Sequence, residues 1–333
     1  SDLTIAAALV TRINDGLDAR RAVAVPNQGA TALHVLETMA RLKQGDVVAV
    51  TAAAGGVGGL AVQLARHLGA GAVVALVSSA QKLEHARGLG ADVTVDVTSA
   101  GLANQLRDAT SGRGFDVVLD SVGGELATLL FDSLAPFGRL VSFGVASGMP
   151  LTVASHAMMK RSVSVSGFHL DAVMAVPGRF STTLARLYGL VDLGALTPFV
   201  GLEIPLELAA DAHAAMESRR SMGKIVLSVG GAAGSENGAV RHHLEAAQGL
   251  KLCPEGLLDA GHHVGWPVRA HATRCVVTLD AARHPGVVHP PAVAAGAGRQ
   301  VEVGFVAEVT DRGGPEDHAA AGAHRAGGTE DRP

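Results

Sequence analysis

The sequence is short of several things at once, and each shortage removes a class of function. Positive charge is not in excess: 27 Lys and Arg against 31 Asp and Glu give a formal net charge of −4. No basic stripe stands out, which argues against a nucleic-acid partner. No uninterrupted apolar run approaches the ~18 residues of a membrane span, so no membrane association is expected. The start, Ser1-Asp2-Leu3-Thr4, has neither the basic flank nor the cleavage pattern of a secretory signal. Cysteine is reduced to Cys253 and Cys275, too few for a disulfide framework and suited to a reducing cytoplasm. Aromatic residues make up only 3% of the 333 residues, a length that allows two domains or one large one.

What is present is a strand–turn–helix signature. The apolar run Val47-Val48-Ala49-Val50 reads as a buried strand, and Ala53-Ala54-Gly55-Gly56-Val57-Gly58 follows at once. A helical Ala/Leu/Val pattern then runs from Leu60 to Leu68. A dinucleotide-binding βα unit grips a pyrophosphate in this way. Small residues let the backbone approach, and the N–H groups and positive dipole end of the helix face the phosphates. In register with GxGxxG, the three glycine positions hold Ala53, Gly55 and Gly58.

Around this unit, short apolar strands alternate with helical patterns. Strands are expected at 47–51, 73–77, 93–96, 117–120, 140–143 and 163–166, and helices at 31–42, 58–68, 81–89, 102–110, 124–134 and 155–160. Gly69 and Gly90 stand where helix C-caps prefer glycine. Such alternation implies an α/β fold, a doubly wound parallel sheet covered on both faces. We place this Rossmann domain at residues 23–170. Residues 1–22, and a return segment at 171–229 with helices at 180–193 and 206–218, read as pieces of a second domain. Past Gly230 the texture changes: the tail 230–333 holds nine of the fifteen histidines and little apolar periodicity outside 301–309. It is expected to be disordered or an out-of-frame readthrough, against an alternative of a small module built on 274–280 and 301–309.

The end of the second strand bears on which dinucleotide is held. NAD enzymes tend to place a carboxylate there, about 20 residues past the glycines, on the ribose 2′-hydroxyl. Here Val77 is followed by Ser78-Ser79-Ala80-Gln81-Lys82, two hydroxyls and one ammonium with no carboxylate. A 2′-phosphate would be neutralised by Lys82 and hydrogen-bonded by Ser78 or Ser79, which favours NADP(H). The plain alternative is that Ser79 caps a helix and Lys82 is a solvated first-turn residue.

These same residues carry a resemblance. Ala53 to Gly58 with Gln63-Leu64-Ala65, then Ser79 to Lys82, Gly90-Ala91-Asp92, Asp116 to Gly123, Gly138 to Gly144 and Glu217 to Leu227 occur in the order and spacing of one family. Over residues 10–229 the chain resembles the quinone oxidoreductase (zeta-crystallin-like) branch of the zinc-independent medium-chain dehydrogenases/reductases. The resemblance implies that Gly55, Gly56, Val57 and Gly58 cradle the pyrophosphate and that Ser79 and Lys82 read the 2′-phosphate. It puts Thr31 near the cofactor phosphates and nicotinamide, Ser121 by the adenosine side, Phe143 and Gly144 beside the nicotinamide ribose, and Arg219 on the cofactor from the last helix. Core packing is the alternative for Phe143.

Departures are informative as well. Val97 stands where the family often has a tyrosine against the adenosine phosphate. The family opens with a β-rich GroES-like domain, of which residues 1–22 would be a remnant, so most of the usual substrate wall is missing. Relatives that hold catalytic zinc carry a cysteine where Asn27-Gln28 stand, and no cysteine precedes Cys253. No metal is therefore expected; His242, His243, Cys253, His262, His263 and Cys275 match no metal-ligand spacing. Without a Ser/His/Asp or Cys/His arrangement, the cofactor must supply the chemistry. The expected reaction is hydride transfer from NADPH to a quinone or an α,β-unsaturated carbonyl. An enoyl-thioester reductase is the second reading, and a catalytically silent NADPH-binding protein the third. Family analogy suggests a homo-oligomer through the sheet edge at Val163 to Phe168.

Overall fold

The protein was obtained as a computed structural model that describes residues 10–13, 17–228, 273–280 and 302–309. A short strand β1 (Val10–Arg12) and helix α1 (Ala19–Val23) lead into α2 (Pro26–His34). The chain then alternates through β2 (Val47–Val50), α3 (Gly56–His67), β3 (Ala72–Val77), α4 (Ala80–Gly88), β4 (Val93–Asp96) and α5 (Leu102–Ala109). It continues as β5 (Phe115–Asp120), α6 (Gly124–Asp132), β6 (Leu134–Ser142), α7 (Ser155–Arg161) and β7 (Ser164–Gly167). The six strands lie in the order β4-β3-β2-β5-β6-β7, every pair parallel. This is the doubly wound order expected, and its switch point lies between β2 and β5.

The strands read as near-continuous apolar runs because both faces are covered. Val48, Val50, Val73, Ala75, Val117 and Leu119 point into a core shared with Leu33 of α2 and Leu60 and Leu64 of α3. Ala49, Val74, Leu76, Val118 and Leu140 alternate with them into a second core with Leu106 of α5 and Leu130 of α6.

Two boundaries differ from the sequence reading. The helix expected from Thr31 begins five residues earlier, with Pro26 in its first turn, where a fixed φ suits helix entry. Its far end opens into a single π-helical turn, Val35–Met39. The helix expected to reach residue 134 stops at Asp132, and β6 starts at Leu134. Leu134 is already in register with Phe115, and the Phe115 N–H donates to Ser133 O (2.9 Å), so the chain pairs as soon as it leaves the helix.

After β7 come α8 (Asp171–Met174) and α9 (Arg179–Asp192). The Leu184 and Leu187 side chains of α9 join the first core alongside α2. Then β8 (Val200–Pro205), a 3₁₀ turn (Leu206–Leu208), α10 (Ala209–Glu217) and β9 (Lys224–Ser228) follow, β8 and β9 pairing in parallel. Two segments from the tail, β10 (Thr273–Asp280) and β11 (Glu302–Val309), pair antiparallel, and β1 joins β10. They coincide with the two segments weighed as a small module. The rest of 230–333, on which the expectation of disorder falls, lies outside the described residues.

Candidate cofactor site

The glycine turn sits at the C-terminal end of β2. Ala52 takes the left-handed conformation (φ 48°), and the Gly55 N–H closes the turn on Ala52 O (2.8 Å). Ala53, at the position of the first motif glycine, is fully buried and its N–H donates to Leu76 O of β3 (3.1 Å). The strained step thus falls one residue before the motif position, which explains why alanine is tolerated at 53. Gly58 has no such freedom. A Cβ there would lie 2.3 Å from Ala52 O and 2.8 Å from Ala53 Cα, both backbone atoms. Gly55 caps α3 in extended conformation with no side chain on the helix end. The first-turn N–H groups of α3 therefore face the crevice with no intrahelical partner of their own. A Cβ on Gly56 would meet Gln28 Cγ at 2.9 Å, so the Gln28 side chain would have to shift to admit one.

A polar corner lies beyond the end of β3. Ser79 is the N-cap residue of α4, but its side chain makes no capping bond. Lys82 is half-buried and its Nζ donates to the backbone carbonyl of Arg219. Burial pushes the Lys82 pKa down from the ordinary lysine value. Ser79 thus stands at the cap position without a side-chain capping bond, and Lys82 is a first-turn residue that is half-buried rather than fully solvated. Arg219 lies just past α10 rather than on it, in a left-handed conformation (φ 57°), and its Nη2 donates to Ala146 O (2.8 Å). Asp96, the register partner of Val77, is a carboxylate near this end of the sheet. Its Oδ1 is engaged by the Thr98 N–H (2.9 Å) and hydroxyl (2.7 Å).

The remaining sequence candidates line the other side of β2. Ser121 follows β5, and its N–H donates to Thr51 Oγ1 (2.9 Å). Phe143 and Gly144 follow β6. The Phe143 N–H donates to Asp120 O (2.9 Å), and its ring packs against the first core. A Cβ on Gly144 would lie 2.9 Å from Ser121 O, so these two turns are in close contact. Thr31 is buried in α2, with its hydroxyl donating to Asn27 Oδ1 (3.3 Å). Tyr188, the single tyrosine, is buried, donates to Ala22 O (3.3 Å) and has its pKa pushed up by burial. Among the described residues no group of three His, Cys, Asp or Glu is placed to hold a metal ion.

Sequence reasoning missed five contributors. Gly223 forms a parallel bridge with Gly55, and its N–H donates to Ala54 O (2.8 Å), laying the return segment directly on the glycine turn. Its φ of 60° and a Cβ position 2.3 Å from Phe199 O leave room for glycine alone. Lys224 is buried beside it; with the Gln28 amide turned so that its nitrogen donates to Ala24 O (3.1 Å), Gln28 Oε1 accepts from Lys224 Nζ (2.8 Å). His85 packs its ring on Phe199 (4.5 Å) and lines a small cavity with Gly55, Gly56 and Gly223. Its Nε2 is buried with no hydrogen-bond partner. Thr51 and Asp120 are both fully buried between the turns. The pairings across 70 to 196 residues that place these groups leave no local pattern; only the glycine in Met222-Gly223-Lys224 was a visible signal.

With this geometry in view, the chain was compared with known proteins. The family profile described as "Zinc-binding dehydrogenase" matches residues 56–188. The quinone oxidoreductase of Pseudomonas aeruginosa is 34% identical over 220 residues, covering 66% of this chain and 67% of the relative. The chain belongs to the quinone-oxidoreductase branch of the medium-chain dehydrogenases/reductases. Another quinone-oxidoreductase-like relative, the 2-haloacrylate reductase of a Burkholderia species, is 36% identical over 202 residues, 60% of each chain. A mycobacterial structure of the protein Rv1454c complexed with NADPH superposes with a TM-score of 0.63 at 34% identity, covering 66% of this chain and 68% of that one. The chain thus spans 60% to about two thirds of the length of these quinone-oxidoreductase relatives.

Proposed function

We propose that the chain binds NADPH across the crevice above β2 and passes a hydride to a quinone or an α,β-unsaturated carbonyl. The observation that carries the reading is the corner of Ser79, Lys82 and Arg219 beside an uncapped, glycine-lined helix start. The NADPH complex of the mycobacterial neighbour and the named activities of the two curated relatives support it. Bound there, the dinucleotide supplies the hydride from C4 of its nicotinamide.

The chain's own residues divide the binding. The N–H groups of Gly56, Val57 and Gly58, with the dipole of α3 behind Gly55, meet the pyrophosphate. Ser79 and the ammonium of Lys82, which gives up Arg219 O for it, meet the 2′-phosphate together with the Arg219 guanidinium. Ser121, Phe143, Gly144 and Thr31 border the rest of the dinucleotide and hold the nicotinamide against the acceptor at near-attack distance. We also read the protein as zinc-free, cytoplasmic and self-associating through β7. The support is the absence of cysteine before Cys253 and the place of β7 at the end of the sheet order.

A second reading, an enoyl-thioester reductase, is favoured by Gly55 to Gly58 with Gln63 to Ala70, a run that enoyl-reductase modules share. A third is an NADPH-binding protein without turnover. Fluorescence titration of the full chain with NADPH and NADH, then NADPH oxidation with benzoquinone and with crotonyl-CoA, tests all three. Tight NADPH binding with benzoquinone turnover is expected. Faster turnover with crotonyl-CoA selects the second reading, binding without oxidation the third, and failure to bind either dinucleotide overturns the whole.

A further inference from the structure

Among the described residues, one buried carboxyl group lies between the turns that border the crevice. Asp120, the last residue of β5, is fully buried. Its Oδ1 accepts from the Val122 N–H (3.1 Å) and its Oδ2 from the Gly123 N–H (3.0 Å). Burial pushes its pKa up, and these two N–H groups with the Thr51 hydroxyl pull it back. A buried carboxylate is tolerated where such donors converge on it. The donors come from the two turns that flank the switch point.

Thr51 is the other half of the arrangement. It is the first residue past β2 and fully buried, and its N–H donates to Leu119 O of β5 (3.0 Å). Its Oγ1 accepts from the Ser121 N–H (2.9 Å), with Ser121 Oγ 3.4 Å away, and the hydroxyl helps to hold the Asp120 pKa down. Asp120 also presents its backbone oxygen to the Phe143 N–H (2.9 Å). One threonine and one aspartate thus bind together the segment entering the glycine turn, the turn after β5 and the end of β6. Each side chain has the valence the place requires. Valine would leave the Ser121 N–H without its acceptor, and asparagine would turn an N–H₂ group onto a backbone N–H.

We propose that Thr51 and Asp120 are positioning residues for the dinucleotide: they fix the glycine turn against the turn after β5 and so set the width of the crevice the cofactor crosses. The proposal rests on the NADPH reading above. Neither side chain need touch the cofactor. Their effect is to hold the helix-end N–H groups and the Ser121–Gly144 contact at one spacing, so that binding does not first have to order them.

The test uses the full chain and the variants Thr51→Val, Thr51→Ser and Asp120→Asn, with NADPH affinity by fluorescence titration and melting temperature measured separately. Thr51→Val and Asp120→Asn are expected to raise the NADPH Kd about tenfold at a temperature where both are folded, one tenfold step being ~1.4 kcal/mol. Thr51→Ser, which keeps the hydroxyl, is expected to stay within about twofold of the parent, a small fraction of that step. A folded Thr51→Val protein with a lower melting temperature and an unchanged Kd overturns the proposal, because the pair then acts on stability alone. Thr51→Ser as weak as Thr51→Val overturns it too. Should Asp120→Asn fail to fold, the two threonine variants decide. If the parent chain binds no NADPH, the functional reading falls and this proposal with it; parental binding that the variants leave unchanged removes the proposal alone.

Discussion

The glycine turn and the Lys82–Arg219 corner flank one crevice and are built by opposite means. In the turn, backbone meets backbone: Gly58 lies so near Ala52 that a Cβ would strike its carbonyl oxygen, and Gly55 and Gly223 bridge directly. Neither Gly58 nor Gly223 can take a side chain without moving main chain. In the corner, two long side chains reach toward carbonyls, Lys82 to Arg219 O and Arg219 to Ala146 O. Those partners are replaceable, and an incoming phosphate offers a stronger, charge-assisted acceptor to both cations. On the proposed reading, a rigid cradle for the pyrophosphate adjoins an adjustable reader for the 2′ position. The difference makes affinity and cofactor choice separable if those roles hold, and the variants below are chosen to break that separation.

The largest effect should come from the rigid side. Gly58→Ala drives a Cβ into backbone at 2.3 Å, so Ala52 or α3 must move. We expect a loss of roughly 1–3 kcal/mol in stability from overpacking, together with loss of both NADPH and NADH binding, read by thermal melting and fluorescence titration. A variant that keeps dinucleotide affinity would break the claim that the turn is rigid. Lys82→Ala should act on one ligand only. Losing a charged hydrogen bond of about 1.5–3 kcal/mol should weaken NADPH by tenfold or more and leave NADH within about twofold. Equal losses for both would merge the two regions into one.

The smallest effect concerns His85, beneath the junction of the two regions. Burial pushes its pKa below the ordinary imidazole value, so the folded protein favours the neutral ring. A group whose folded pKa is depressed contributes stability above the unfolded value of about 6.5 and loses it as pH falls through the folded value. Melting temperature should therefore fall on the acid side of neutrality, and His85→Leu should flatten part of that fall. An identical acid limb in the variant would show that His85 does not couple to folding.

Much of the sheet could be read directly along the chain, because a strand covered on both faces announces itself as Val/Leu/Ala runs such as 73–77 and 117–119. The glycine turn was equally plain, since Gly55, Gly56 and Gly58 are contiguous with the strand that feeds them. Lys82 and Ser79 could be singled out by their distance from that turn, a local measure again. Thr51 and Asp120 were invisible for the opposite reason. A threonine after a strand and an aspartate before a turn are common, and only the adjacency of β2 and β5 turns them into one unit. Arg219 was legible as a cation near the end of the family pattern, but its position past α10 and its left-handed backbone were not.

Local periodicity and a six-residue motif were enough to specify an α/β dinucleotide fold, because each strand and helix records its own burial pattern. The crevice is another matter. Gly223 lies 168 residues from Gly55 and Arg219 lies 137 from Lys82, and contacts across such separations depend on strand order and helix packing. Topology alone brings the return segment onto the glycine turn and stacks β2 beside β5. Until the sheet closes in that order, the cradle and the reader are two unrelated stretches of chain.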